Sequence, residues 1–185
     1  DAQESRGLGD VYKRQGLTNQ SDFSVSTGNE HSSLLVSGQY VTVSGTTPGD
    51  KFTRGSIRLN GTTKIGQKVK VTYATAYAPN KSDITSQTGS IYTNMLNMPS
   101  NVDITQFKDW KNDKYANPNG FYNPWYLNPY FTADNYRRYD KNAYLTGNVE
   151  LKYSPIDGLD LIARQGISQR TFTQKDISRG FTYTD

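Results

Sequence analysis

From residue 20 onward, polar and apolar positions alternate with a period of two, and turn-forming residues interrupt the alternation. "DFSVSTG" sets Phe23 and Val25 against Ser24 and Ser26, and "TGNEHS" supplies a turn. "SLLVSGQYVTVSG" reads as a second strand with less cleanly separated faces, and "TTPGD" at 46–50 reads as a loop. In "KFTRGSIRLNG", Arg54, Ser56, Arg58 and Asn60 share one face, while Gly55, Ile57 and Leu59 share the other. "KVKVTYATAYA" places Val69, Val71, Tyr73 and Tyr77 opposite Lys70, Thr72, Ala74 and Ala76. "NAYLTGNVELKYS" sets Leu145, Val149, Leu151 and Tyr153 against Tyr144, Thr146, Asn148, Glu150 and Lys152. After the "SPIDG" turn, "LDLIARQGIS" begins another strand. All seven prolines are expected in loops or turns, because proline removes a ladder hydrogen bond.

The connections alternate in length. Short turns are expected near 28–32, 61–67 and 154–158, with longer excursions at 45–51 and at 79–134. In a meander, alternate connections share one end of the sheet, so one end is trimmed and the other elaborated. This asymmetry, strands of about ten residues with one apolar and one partly charged face, and aromatics near strand ends (Tyr40, Phe52, Tyr77, Tyr144, Tyr153) point to part of a membrane β-barrel. The expected fold is all-β: an up-and-down antiparallel meander of about six strands, with one long aromatic-rich connection containing a short helix. A secreted β-sandwich binding carbohydrate through that connection is the alternative.

Composition removes other classes. The longest apolar runs are a few residues, such as "LLV" at 34–36, far short of the roughly 20 a spanning helix needs. There is no cysteine and only one histidine, His31, which excludes disulfides, thiolate metal sites and histidine clusters. The net charge of +4 comes from 21 basic and 17 acidic residues scattered along the chain, a poor footprint for nucleic acid. Glutamate occurs only at 4, 30 and 150, and no nucleophile elbow, P-loop or HExxH motif is present, so no enzymatic role is expected. Asp134 and Asp140 in "DNYRRYD" lack EF-hand spacing and its glycine. No metal or cofactor is expected.

Residues 107–139 carry eleven aromatics interleaved with Asn, Asp, Pro and Arg. Aromatic faces beside amides and carboxylates suit sugar rings or a peptide in a groove. The candidate substrate-binding residues are Trp110, Tyr122, Trp125, Tyr126, Tyr130, Asp134, Tyr136 and Arg137, while Arg54, Arg58 and Asn60 are expected to face a lumen. Just upstream, Ile91, Met95, Leu96 and Met98 recur at near-helical intervals, with Pro99 as the stop, so a short amphipathic helix is expected under the loop.

Residues 1–15 are unlike the rest. "DVYKRQ" is what GATGTGTATAAGAGACAG encodes, a string resembling the mosaic end of a transposon-based sequencing adapter, and "SRGLG" resembles its flank. This segment is expected to be a non-native leader, with 16–185 as a partial barrel of a longer protein.

The stretch "SIYTNMLNMPSNVDITQFKDWKNDKYANPNGFYNPWYLNPYFTADNYRRYDKNAYLTGNVELKYSPIDGLDLIARQGI" resembles the barrel of SusC/RagA-family TonB-linked outer-membrane transporters. Its landmarks are "MP" followed by "VDIT" and "FKDW", then "NPNGFYNPWYLNPYF", then "GNVELKYSPIDGLDL" across a periplasmic turn. Upstream, "LLVSGQYVTVSGTTPGDKFTRGSIRLN" resembles a strand, outer loop and strand of the same family, although "GTTPGD" departs from its Gly-rich loop. The resemblance implies a barrel of about 22 strands closed by a plug. It also implies a SusD-like surface lipoprotein partner, energy from the TonB complex, outer-membrane lipid around the wall, and import of oligosaccharides or peptides in a Bacteroidetes-type Gram-negative cell.

Overall fold

The computed structural model describes residues 16–118 and 121–181; the adapter-like leader lies outside them. Six strands follow in chain order: β1 (Leu17–Gly28), β2 (Ser32–Ser44), β3 (Lys51–Ile65), β4 (Val69–Thr85), β5 (Tyr136–Ile156) and β6 (Leu159–Ser178). They form one antiparallel sheet in the order β1-β2-β3-β4-β5-β6, an unclosed meander whose neighbours in sequence are neighbours in space. The tight hairpins β3–β4 and β5–β6 turn at Gly66 and Gly158, both at positive φ, where an L side chain would be strained. The β2–β3 and β4–β5 connections lie together at the other end.

Directly paired residues share a face, so the register sorts every side chain. One continuous row reads Ser24, Ser37, Arg58, Ala76, Thr146 and Ser168; the adjacent row on the opposite face reads Phe23, Gly38, Ile57, Tyr77, Leu145 and Gln169. The polar face therefore carries Arg54, Arg58 and Asn60, together with Glu150, Lys152, Arg164 and Arg170. The apolar face carries no charged residue from the row of Ile65, Val69, Tyr153 and Leu161 up to the row of Tyr40, Gly55, Pro79 and Ala143. Above it come Lys81 and Lys141, directly paired. From Val69 to Pro79, at about 3.3 Å per residue and a tilt of about 40°, the uncharged band is roughly 25 Å tall, the height of a barrel's lipid-facing belt.

On this face glycine sits opposite large rings. A Cβ on Gly38 would collide with the Phe23 ring, and one on Gly61 with the Tyr73 ring; each ring lies across the bare backbone of its paired glycine. No second sheet covers the apolar face among the described residues, so the sandwich alternative does not describe this fold. No helix among them is long and apolar enough to cross a membrane.

Four sequence expectations need correction. Pro79 lies within β4 and Pro155 within β5. The β3–β4 ladder accommodates the first by leaving Gly55 and Ser56 outside its register, with Gly55 in ordinary contact range of the Pro79 ring. β4 continues to Thr85, so the long connection begins at 86 rather than 79. Phe52 and Tyr144 lie on the polar face, since they pair with Ser82 and Ala78, and so are not on the apolar face with Tyr40, Tyr77 and Tyr153. Lastly, Leu96, expected on the buried side of the helix under the loop, is 65% exposed.

Candidate functional site

The long connection folds into a small domain at the end of the sheet opposite the tight hairpins. Helix α1 (Thr88–Leu96) buries Ile91, Asn94 and Met95. A 3-10 turn (Ile104–Phe107) is capped by Asp103, whose carboxylate accepts the Thr105 backbone N–H at 2.9 Å. That bond holds the Asp103 carboxyl below its ordinary value. Helix α2 (Pro129–Asn135) then leads directly into β5.

Asn128 organises this domain and is fully buried. Its side-chain oxygen caps α2 by accepting the Tyr130 N–H at 2.9 Å, while its amide nitrogen donates to the carbonyls of Phe107, at 2.7 Å, and Ala116. Sequence reasoning passed over both Asn128 and α2, although the signal was present: Asn followed by Pro is an N-cap followed by an N1 residue. Ile91, Met95, Ile104 and Ala133 form the aliphatic core, with Met98 and Tyr130 packed on it.

The predicted site residues separate by environment. Trp110 is 7% exposed, edge-on to Phe131 and Phe181, and its indole N–H donates to Asp134 at 2.9 Å; both belong to the loop's own construction. Tyr130 packs on the aliphatic core, and the Tyr122 hydroxyl donates to the Asn97 carbonyl at 2.7 Å. Trp125, by contrast, is 87% exposed. With Tyr126 and Tyr136 it lines a cavity of about 320 Å³ that also takes in Gln87, Ser90 and Asn94. Tyr126 stacks on Tyr122, with ring centroids 6.0 Å apart, which stiffens that wall. The structure thus brings Trp125, Tyr126 and Tyr136 to one opening and leaves Trp110 and Arg137 out of it.

Arg137 is a correction. Expected to meet substrate, it is 7% exposed and spends its donors internally. Nε and one terminal nitrogen donate to Asp83 at 2.9 and 2.6 Å, and that same terminal nitrogen reaches the Gly49 carbonyl at 3.0 Å. The other terminal nitrogen donates to Asp50 at 2.9 Å and the Ala133 carbonyl at 3.0 Å. Asp50 also accepts the Thr85 N–H at 2.8 Å. One guanidinium therefore ties the β2–β3 connection, the end of β4 and helix α2 into a single body.

On the polar face, Arg54 and Arg58 line a cleft of about 420 Å³ with Asp22, Ser24, Gln39 and Ser56. Asn60 lines a neighbouring one of about 370 Å³ with Arg58, Ala74 and Asn148. Elsewhere on that face arginines are engaged: Arg138 with Asp176, Arg164 with Glu150, and Arg170 over the Tyr144 and Phe172 rings.

No protein-family profile and no curated protein matches this chain. Against solved structures, 16 chains match. One is the RagAB peptide importer in its "closed-closed" state, at 22% sequence identity and a TM-score of 0.62, over 85% of this chain and 18% of that one. The chain thus spans under a fifth of that chain's length, and over the matched 85% it shares the fold of that section.

Proposed function

We propose that this chain is a section of the wall of a TonB-dependent outer-membrane transporter, with its apolar face in lipid and its polar face toward the lumen. The observation that carries this reading is the uncharged band of roughly 25 Å, beside a polar face bearing Arg58, Glu150, Arg164 and Arg170 at the same depth. The likeness to an importer supports it. The connection at 86–135 then lies outside the cell, where the opening formed by Trp125, Tyr126 and Tyr136 contributes to capture of an oligosaccharide or peptide. A SusD-like surface lipoprotein closes over this end, and the TonB complex supplies energy. No enzymatic step and no cofactor belongs to this reading.

The test is labelling of single cysteines in the full-length chain on intact cells. Trp125→Cys is expected to react with a membrane-impermeant maleimide, and Ile57→Cys only after detergent. Equal reactivity at the two positions overturns the orientation.

A further inference from the structure

At the tight-hairpin end, the polar face carries a row of lysines. Lys64, Lys70 and Lys152 are directly paired across β3, β4 and β5, so three cationic side chains stand side by side on one face, with neighbouring Cβ atoms about 5 Å apart. With Lys68 they line a cavity of about 530 Å³ that also takes in Glu30, His31, Gln67 and Ser154. Hydrogen bonds tie its three chain segments together. The His31 carbonyl accepts the Lys64 N–H at 2.7 Å, and the Lys68 carbonyl accepts the Ser154 N–H at 2.8 Å. The Lys68 ammonium donates to the Pro155 carbonyl at 3.0 Å, and the Asn29 side chain fixes the β1–β2 turn by accepting the His31 and Ser32 N–H groups.

The chain does not neutralise this row from within. Lys152 pairs with Asp160 at 2.7 Å, but Lys64 and Lys70 make no ion pair among the described residues. Glu150, next along the same face of β5, is held by Arg164 at 2.6 Å, and Glu30 lines the cavity without pairing with any of the four lysines. Like charges directly opposite one another destabilise a sheet, so the row costs stability until an anion sits against it. Two unengaged ammoniums about 5 Å apart are matched by one group carrying close to two negative charges on a single centre, as a phosphoryl group does. An ammonium is a point charge with rotatable donors and meets such a tetrahedral oxyanion from any side. We propose that Lys64 and Lys70, flanked by Lys68 and Lys152, bind the phosphoryl group of a phosphorylated small molecule. This site does not depend on the transporter reading, because register and charge alone define it.

The experiment is calorimetry on the full-length protein in detergent at fixed ionic strength, with pyrophosphate as the probe and citrate as a carboxylate of similar charge. Pyrophosphate is expected to bind at least about tenfold more tightly than citrate. Lys64→Gln combined with Lys70→Gln is expected to weaken pyrophosphate at least about tenfold, whereas Lys64→Arg combined with Lys70→Arg, which keeps both charges, retains most of the binding. Lys108→Gln combined with Lys114→Gln removes the same charge from the long connection and is expected to leave pyrophosphate binding unchanged. Absence of pyrophosphate binding, or citrate binding as tight or tighter, overturns the proposal. So does a loss in the arginine pair as large as in the glutamine pair, and so does an equal loss in the long-connection pair, which would show attraction by overall charge rather than a site.

Discussion

Arg137 and Trp125 show how a residue's type and its role part company. Both looked suited to ligand contact, but Arg137 is saturated by Asp83, Asp50 and two backbone carbonyls. Arg137→Ala leaves Asp50, itself largely buried, facing no cation, and is expected to cost roughly 3 kcal/mol of local stability. Limited proteolysis within 86–135 reads this directly, and unchanged cleavage would refute the clamp. The tryptophans are predicted to divide in the same way. Trp110→Ala removes a buried indole and should destabilise the connection by about 3–5 kcal/mol, whereas Trp125→Ala should change stability by less than about 0.5 kcal/mol while weakening ligand capture. Thermal unfolding and ligand titration of both variants separate these effects. Asp103 carries a pH dependence. Because its folded carboxyl titrates below the ordinary 3.8, its cap is complete above that value and is lost as pH falls through the lower folded value. The Thr105 amide should then exchange faster, relative to its intrinsic rate, at about pH 3 than at about pH 5. The types of these residues were legible in the sequence; their roles were not, because a guanidinium or an indole presents the same donors to a carboxylate of its own chain as to a ligand.

Strands were legible because one face differs from the other at every second position, a signal each strand carries by itself. β3 and β5 showed it best, with Ile57 and Leu59 against Arg54 and Arg58, and Leu145 and Val149 against Asn148 and Glu150. β2 showed it least, since Leu35, Val41 and Val43 fall on the polar face opposite Asn60, Arg54 and Phe52. The end of β4 was misjudged because Pro79 reads as a stop, while the ladder absorbs it by releasing Gly55 and Ser56 from pairing. Two glycines each seat a ring from the neighbouring strand, Gly38 of β2 that of Phe23 in β1 and Gly61 of β3 that of Tyr73 in β4, where their own side chains would be. Gly61→Val is expected to displace the Tyr73 ring and lower the yield of assembled protein, whereas Gly89→Ala, in α1 with open space around it, should be neutral. Heat-modifiable mobility of the full-length chain on gels reports both.

At the scale of the molecule, the two faces demand different surroundings. On the proposed transporter reading, a lipid-facing charge near the bilayer midplane costs roughly 2–4 kcal/mol, so Ile57→Arg in the full-length chain is expected to abolish outer-membrane assembly, while Arg58→Ala leaves it intact. Equal tolerance of both, measured in membrane fractions, would reverse the assignment of faces. The alternation, the tight hairpins, the elaborated opposite end and the absence of spanning helices were all determined by sequence alone, because they follow from local periodicity and turn chemistry. The tertiary structure decided what depends on chain segments far apart: that Asp50, Asp83 and Arg137 meet, that Asn128 joins α2 to Phe107 and Ala116, and that Trp125 stays in water while Trp110 does not. A period of two says which side of a strand a residue takes, but burial and pairing depend on what the rest of the chain brings to that side.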